Sequence, residues 1–384
     1  MVRPFAAVGL SFLIAAQAPA QNANPLDSLI AANVSTFTLA DGKISGAGAD
    51  RILAAAAATH FVALGENHNT RAIPLLTTAL FRELHAKYGF NYLALEEGPA
   101  IGRAVSDAVR RGQPGAAFQL GLRYPNAFHM YTEDELRMID DIAAISTAKQ
   151  NPIWGLNQEY GMMHVLERLV QIAPNATAKA IAEAQLARAR EYESERFALN
   201  KFFMSEVAQP ADYRALRDAY KPAPDSEAFE LISQAELSNA IFAPYAVKPR
   251  APFTQFYASG KSREDNMKRL FASNYKIAAR EAPAPKVLVK SGHVHLNRGI
   301  GRSNEVFTLG NFLNELAIFE GGESLHLYVL LNWPDLRQSF LAPFVPHIQA
   351  NTNTVFDLRP LQAWAAHRQL PQLDPELRRA LVGY

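Results

Sequence analysis

Two segments that lie far apart in the chain share one order of residues: an apolar run, then glycine, then histidine. They are Phe61-Val62-Ala63-Leu64-Gly65-Glu66-Asn67-His68 and Val287-Leu288-Val289-Lys290-Ser291-Gly292-His293-Val294-His295. Short apolar runs bounded in this way are typical of buried parallel strands. Because parallel sheets bind ligands at the carboxyl ends of their strands, both segments predict polar groups at one edge of a sheet.

Strand and helix patterns alternate on either side of these segments. Three more runs predict strands, and three longer amphipathic patterns predict helices. The strands are Asn91–Leu95, Pro152–Asn157 and Leu325–Leu331, and the helices are Ile73–Tyr88, Ala100–Arg111 and Thr132–Lys149, whose Thr132 and Glu135 are spaced as a capping box. This alternation predicts an α/β fold with a mostly parallel sheet flanked by helices.

The patterns divide the chain into segments of different character. After Gly161 nearly every stretch has helical periodicity, and strand patterns return only with the second glycine–histidine segment. We expect a signal peptide at 1–20, an N-terminal arm at 21–50, the α/β core at 51–160 and 283–342, a large helical insertion or lid at 161–282, and a C-terminal tail at 343–384.

The first residues have the order of a secretory signal. Arg3 precedes an apolar stretch from Phe5 to Ala16, and Ala18-Pro19-Ala20 is a small-residue cleavage site. The apolar stretch is too short to span a bilayer, and no later one is longer. We therefore expect a periplasmic or secreted protein, cleaved after Ala20, with no membrane span.

Composition excludes several classes of function. The chain of 384 residues has a formal net charge of +1, which gives no electrostatic basis for nucleic-acid or membrane binding. It has no cysteine, so disulfides, thiol nucleophiles and thiolate metal sites are excluded. Neither a Gly-x-Ser-x-Gly elbow nor a phosphate-binding glycine loop is present.

The first two predicted strands each end in carboxylates. Glu66 precedes His68 by two residues, a spacing that lets a carboxylate hold an imidazole and raise its basicity. A helix cap and a surface histidine are the alternative. Glu96 and Glu97 follow the next strand, and we expect Glu96 to face the crevice and Glu97 to face solvent.

The remaining candidates come from later in the chain. On an extended strand His293 and His295 would share one face, as two metal ligands do, although a metal-free pair with His293 as acid or base is equally consistent. Arg263, expected at a helix start, would bind substrate, and Asn157 ends the third strand. His129, His164 and His326 are interpreted as structural.

Several of these segments together resemble the erythromycin esterase family. The resemblance lies in Leu64-Gly65-Glu66-Asn67-His68, in Phe90–Glu96, in Ser262-Arg263-Glu264-Asp265-Asn266-Met267 and in Gly292-His293-Val294, and it spans most of residues 50–335. The family usually has Gly-Glu-x-x-His, whereas this chain has Gly-Glu-x-His. That shorter spacing looks more like ChaN-type haem-binding proteins and Tiki-type metalloproteases.

The resemblance implies an α/β esterase that cleaves an ester or lactone with water activated by a histidine. It implies His68, His293, Glu66 and Glu96 as catalytic residues and Arg263 as the substrate-side cation. By their positions after the predicted strands, Glu97, Asn157 and His295 are further candidates for binding substrate. We predict no cofactor. The alternatives are a haem- or metal-binding exported protein and a metal-dependent peptidase, and a metal would then be bound by Glu66, His68, His293 and His295.

Overall fold

A five-stranded parallel sheet forms the centre of the protein. The computed structural model describes residues 25–68, 70–193, 207–246, 253–301, 305–331, 334–367 and 373–383. The strands are β1 (Val34–Ala40), β2 (Lys43–Ser45), β3 (Thr59–Glu66), β4 (Tyr92–Leu95), β5 (Ile153–Gly155), β6 (Val287–Gly292), β7 (Glu323–Tyr328) and β8 (Asn353–Phe356). The central sheet has the order β5-β4-β6-β3-β7. The predicted α/β class, with its parallel sheet and helical insertion, is confirmed.

Helices cover both faces of this sheet. The helices are α1 (Pro25–Ala32), α2 (Ala47–Ala56), α3 (Ala72–Tyr88), α4 (Pro99–Arg110), α5 (Ala116–Arg123), α6 (Glu133–Ile145), α7 (Met163–Gln171), α8 (Ala176–Glu193), α9 (Pro210–Tyr220), α10 (Glu227–Ala246), α11 (Phe253–Ala278), the single turn α12 (His293–Leu296), α13 (Leu309–Phe319), α14 (Arg359–His367) and α15 (Pro375–Gly383). None of them is both long and apolar enough to cross a bilayer.

Alternation along the strands divides the core into two layers. Val62 and Leu64 of β3 and Leu288 of β6 pack with α3 to α6 on one face. Phe61 of β3 and Val289 of β6 pack on the other face with α11 and α13. Because successive side chains of a strand point to opposite faces, polar residues at the strand ends divide in the same way.

Strand order brings the two glycine–histidine segments together. β6 lies between β3 and β4, although more than a hundred residues separate it from β5 in sequence. Glu66 is in register with Gly292, and Leu95 is in register with Lys290. The residues that follow β3, β4 and β6 therefore meet at one edge of the sheet.

Helices α7 to α10 form a core of their own beside the sheet. Leu166 and Leu169 of α7 pack against Ala182 and Leu186 of α8, with Leu216 of α9 in the same cluster. This block follows the helical periodicity seen after Gly161.

A second, small sheet joins the two ends of the chain. β1 pairs in antiparallel fashion with β2 and with β8, so the order is β2-β1-β8. From the sequence, both regions were predicted only as an arm and a tail, because neither β1 nor β8 has a continuous apolar run. The expected signal segment at 1–20 lies outside the described residues.

Candidate active site

A buried lysine lies beneath the carboxyl edge of the sheet. The Lys290 Nζ atom donates to Glu66 Oε1 at 2.6 Å and to both carboxylate oxygens of Glu135 at 3.0 Å. Its side chain is fully buried. Lys290 and Glu66 point to the α6 face of the sheet because they alternate with Val289 and Gly65. We call Glu66, Glu135 and Lys290 the lysine network.

The lysine network keeps Glu66 ionised. Burial raises the pKa of Glu66, but hydrogen bonds with His68 and Lys290 and the Lys290 charge outweigh it and lower that pKa below its ordinary value. Burial lowers the pKa of Lys290, yet the charges of Glu135 and Glu66 raise it overall. Glu66 is therefore an anionic acceptor at neutral pH.

A second network lies on the opposite face, around Glu96. The Arg263 Nη2 atom donates to Glu96 Oε1 at 2.5 Å. The Ser291 hydroxyl and the Gly292 N–H donate to Glu96 Oε2 at 2.8 and 2.7 Å. His295 Nε2 lies 3.5 Å from Glu96 Oε1. We call Glu96, Arg263, Ser291 and His295 the arginine network.

These positive partners determine the charge of Glu96. Burial raises its pKa, whereas the charges of His295 and Arg263, and then of His129 and His68, hold it well below the ordinary value. Glu264 extends the network, since its Oε1 lies 2.5 Å from His295 Nδ1 and its Oε2 accepts the Leu309 N–H at 2.8 Å. Glu96 is thus a fixed anion.

His68 joins the two networks. Its Nδ1 lies 3.2 Å from Glu66 Oε1, and its Nε2 lies 3.7 Å from Glu96 Oε2. Its side chain remains 30% exposed, whereas both carboxylates are buried. Burial lowers the pKa of His68, but the hydrogen bond with Glu66 and the charges of Glu96 and Glu66 raise it above its ordinary value.

Gly292 allows this close approach of His68 to β6. A Cβ atom at position 292 would lie 3.0 Å from His68 Nε2 and 3.2 Å from Glu96 Oε2. Any side chain there would push the imidazole away from Glu96. The glycine at the end of the strand therefore has a steric role in the site.

His129 also belongs to the cluster, which corrects its interpretation as structural. Its Nε2 lies 3.8 Å from Glu96 Oε1, and its ring stands perpendicular to that of His68 at a centroid distance of 5.0 Å. It stacks on Tyr160 at 4.3 Å. His129 lies in the loop between α5 and α6, so it does not follow a strand and no strand-end motif in the sequence predicted it.

Glu97 holds that loop in place and is not in solvent, contrary to expectation. It is 3% exposed and accepts the N–H groups of His129 and Met130 at 2.6 and 3.1 Å. Burial raises the pKa of Glu97 to about 8. Its contacts are with backbone rather than with the open side of the cluster.

His293 and His295 do not share a face, because a helical turn begins at His293. Residues two apart on a helix point roughly 200° away from each other. His295 is therefore directed to Glu96 and Glu264, whereas His293 Nδ1 lies 3.3 Å from the Glu66 carbonyl oxygen. The His293 ring contacts Tyr328 at 4.8 Å.

Arg263 lies in the middle of α11 and not at a helix start. Its Nε donates to Asn157 Oδ1 at 2.9 Å, which brings the end of the third strand into the site, and Asn157 Nδ2 donates to the Tyr160 hydroxyl at 3.0 Å. The Arg263 side chain is 23% exposed. Among the described residues its Nη1 atom has no hydrogen-bond partner.

Within the part of the chain that the structure describes, the compact group of potential metal ligands is His68, Glu96 and His129, in place of the expected set of Glu66, His68, His293 and His295. Their ligand atoms all lie within 4.8 Å of one another. The spacing suits a cation, but the charges do not. Arg263 already neutralises Glu96, and a fixed guanidinium charge beside these side chains disfavours a divalent ion. We assign no metal to these side chains.

Lys290, Glu135 and Tyr160 were not predicted from the sequence as residues of the site. Lys290 had one usable signal, since a lysine inside an apolar run that reads as a buried strand requires a buried anion. Glu135 fits the capping box spacing, and Thr132 Oγ1 does accept its N–H at 3.2 Å. Its carboxylate instead reaches Lys290.

Comparisons with known proteins show the fold. No family model matches the sequence, and no curated protein is significantly similar to it. A solved Bacillus cereus protein is 14% identical with a TM-score of 0.51, over 88% of each chain. A solved erythromycin esterase mutant, in its open conformation, is 14% identical with a TM-score of 0.50, over 77% of this chain and 76% of that chain.

A third similarity is weaker. The haem-binding ChaN protein of Campylobacter jejuni aligns at 11% identity with a TM-score of 0.33, over 84% of this chain and 97% of that chain, which is too low for any inference. The chain is therefore an α/β protein that shares its fold with an erythromycin esterase structure. At these identities the similarity concerns the fold alone.

Proposed function

We propose that the protein is a hydrolase that cleaves an ester or lactone with water activated by His68. The observation that carries the proposal is the position of His68, whose Nδ1 contacts ionised Glu66 while its ring is partly exposed. Because an ionised carboxylate only accepts hydrogen bonds, Nδ1 donates, and in the neutral imidazole Nε2 keeps its lone pair. Nε2 lies 3.7 Å from Glu96 Oε2, too far for a hydrogen bond, and in the neutral form it can act as a base.

The steps of the reaction follow from this arrangement. His68 Nε2 takes a proton from water, and the water oxygen attacks the ester carbonyl carbon. Arg263 Nη1 stabilises the negative charge that develops on the carbonyl oxygen. As the carbon–oxygen bond to the alcohol breaks, His68 returns its proton to the departing oxygen. His293 and His129 flank the site, and Asn157 orients Arg263.

Two properties belong to the proposal and rest on sequence. The signal-like N-terminus supports export to the periplasm or medium, which N-terminal sequencing of the protein isolated from those fractions would test. The helices at 161–282 adjoin the site through Tyr160 and Phe242, whose rings are 5.5 Å apart. Their position supports a role in selecting the substrate.

The test is hydrolysis of a panel of esters and lactones by the purified protein. Turnover that is lost in His68→Gln and kept in the presence of chelator supports the proposal. The matched control is His347→Gln, since His347 also contacts a carboxylate, Asp27, at 2.9 Å but lies outside the site. Loss of turnover with chelator would establish a metal-dependent enzyme instead. A haem absorption band with no turnover would establish a binding protein.

A further inference from the structure

The lysine network contains a cation that no step of the proposed reaction uses. Lys290 has no exposed surface, and among the described residues its side chain hydrogen-bonds only to Glu66, Glu135 and the Met130 sulfur, the last at 3.4 Å. Burying a lysine is unfavourable unless partners compensate it. A buried apolar residue at this strand position would not have that desolvation penalty. The position of Lys290 next to Glu66 therefore requires an explanation.

One oxygen atom connects Lys290 to His68. Glu66 Oε1 accepts from Lys290 Nζ at 2.6 Å and lies 3.2 Å from His68 Nδ1. Two donors on one oxygen require that Glu66 carries no proton there. If Glu66 were protonated, it could donate to Nδ1, and the imidazole proton would then move to Nε2. His68 would then have no lone pair on the exposed side.

The geometry points to Lys290 as a positioning residue that holds Glu66 as an anionic acceptor and thereby fixes the proton of His68 on Nδ1. This inference rests on the proposed function, in which Nε2 of His68 is the base. Lys290 itself does not touch substrate, because Glu66 and β6 separate it from the open side of the site. It acts through Glu66.

The charged groups around Glu66 come from three elements. Lys290 faces it from β6, Glu135 from α6, and His68 from the loop after β3. Glu97 interacts electrostatically with both Lys290 and Glu135. Burial raises the pKa of Glu66, and the hydrogen bond with His68, then the charge and the hydrogen bond of Lys290, lower it. Loss of Lys290 removes two of these opposing interactions, which shifts Glu66 toward its neutral form.

The test uses the double variant Lys290→Met with Glu135→Gln. One cation and one anion are lost together, so the formal charge of the network is unchanged. Nitrogen-15 NMR of histidine-labelled protein reports the tautomer, with the His68 signals assigned from His68→Gln. We expect the proton on Nδ1 in the wild type and its loss from Nδ1 in the double variant. The midpoint of the His68 titration should fall by about one pH unit.

Turnover gives a second measurement. At pH 7 the kcat of the double variant should fall by about 10- to 100-fold while KM changes by less than about threefold, and activity should recover as the pH is raised. Lys286→Met is the matched control, since Lys286 lies just before β6 and interacts with the Tyr88 and Phe90 rings instead of a carboxylate. It should keep the wild-type profile.

Each result has a distinct meaning. An unchanged tautomer and titration midpoint, with only a lower melting temperature, would show that Lys290 is merely structural. If the double variant does not fold, Glu66→Gln replaces it, and an unchanged His68 midpoint there would equally overturn the inference. The NMR result stands even if the wild type hydrolyses no ester, in which case only the proposed function fails.

Discussion

The two charge networks at the edge of the sheet differ in their access to solvent. The lysine network is closed, because Lys290 and Glu66 are fully buried and Glu135 is 3% exposed. The arginine network opens to the surface at Arg263, whose side chain is 23% exposed. Both networks hold a buried carboxylate as an anion. In the lysine network the cation is Lys290, which is buried and out of reach of a ligand. The closed network suits positioning, and the open one suits contact with substrate.

His68 is the place where the two networks meet, so its loss should have the largest effect. We expect His68→Gln to lower kcat/KM for the best ester substrate by about 10²- to 10⁴-fold, because the reaction loses its base. Steady-state kinetics beside His347→Gln measures this. A variant that keeps more than a tenth of wild-type activity would mean that another group, such as His293, removes the proton.

Removing the anion of the arginine network should have the next largest effect. Glu96→Gln leaves the Arg263 charge facing a neutral group, and breaking such a buried pair costs roughly 3–5 kcal/mol of unfolding free energy. Because Arg263 is partly exposed, we expect the lower end of that range. Urea unfolding followed by circular dichroism measures it. A loss below about 1 kcal/mol would show that solvent replaces Glu96 as the partner of Arg263.

A matched change in the lysine network should cost less. Glu135→Gln leaves Lys290 paired with Glu66, so the loss is mainly that of hydrogen bonds to a charged group, about 1–3 kcal/mol. The same urea titration provides the comparison with Glu96→Gln. If Glu135→Gln were the more destabilising of the two, Glu135 rather than Glu66 would be the principal anion for Lys290.

The smallest effect concerns pH. The base must be neutral to accept a proton, and the pKa of His68 is raised above the ordinary 6.5. We therefore expect kcat/KM to rise with pH through a midpoint above 6.5 and to be low in more acidic buffers. A profile measured from pH 5 to 9 in constant ionic strength checks this. A midpoint well below 6.5 would point to a carboxylate as the base.

Sequence pattern was sufficient for the central sheet and for much of the cluster, but not for the small sheet of β1, β2 and β8. Apolar runs that end in glycine predicted β3 and β6, and the carboxyl ends of parallel strands must share one edge, so Glu66, His68 and Glu96 could be placed together before any coordinates. Asn157 was predicted by the same rule. The location of these residues could be predicted because each follows a strand, and strands are recognised from the local sequence pattern.

The remaining features depend on tertiary structure. His129 comes from a loop, and the N–H groups of His129 and Met130 donate to Glu97, which holds this loop beside Glu96. The chain turns helical at His293, which separates two histidines that a longer strand would have kept on one face.

The pairing of Lys290 with Glu135 also depends on tertiary structure, because the two residues are 155 positions apart in the chain. The sequence by itself determined which groups follow the strands, since that depends on local periodicity. Which of those groups are charged, paired or open to solvent was decided only by packing, because pKa values and burial depend on neighbours that are distant in the chain.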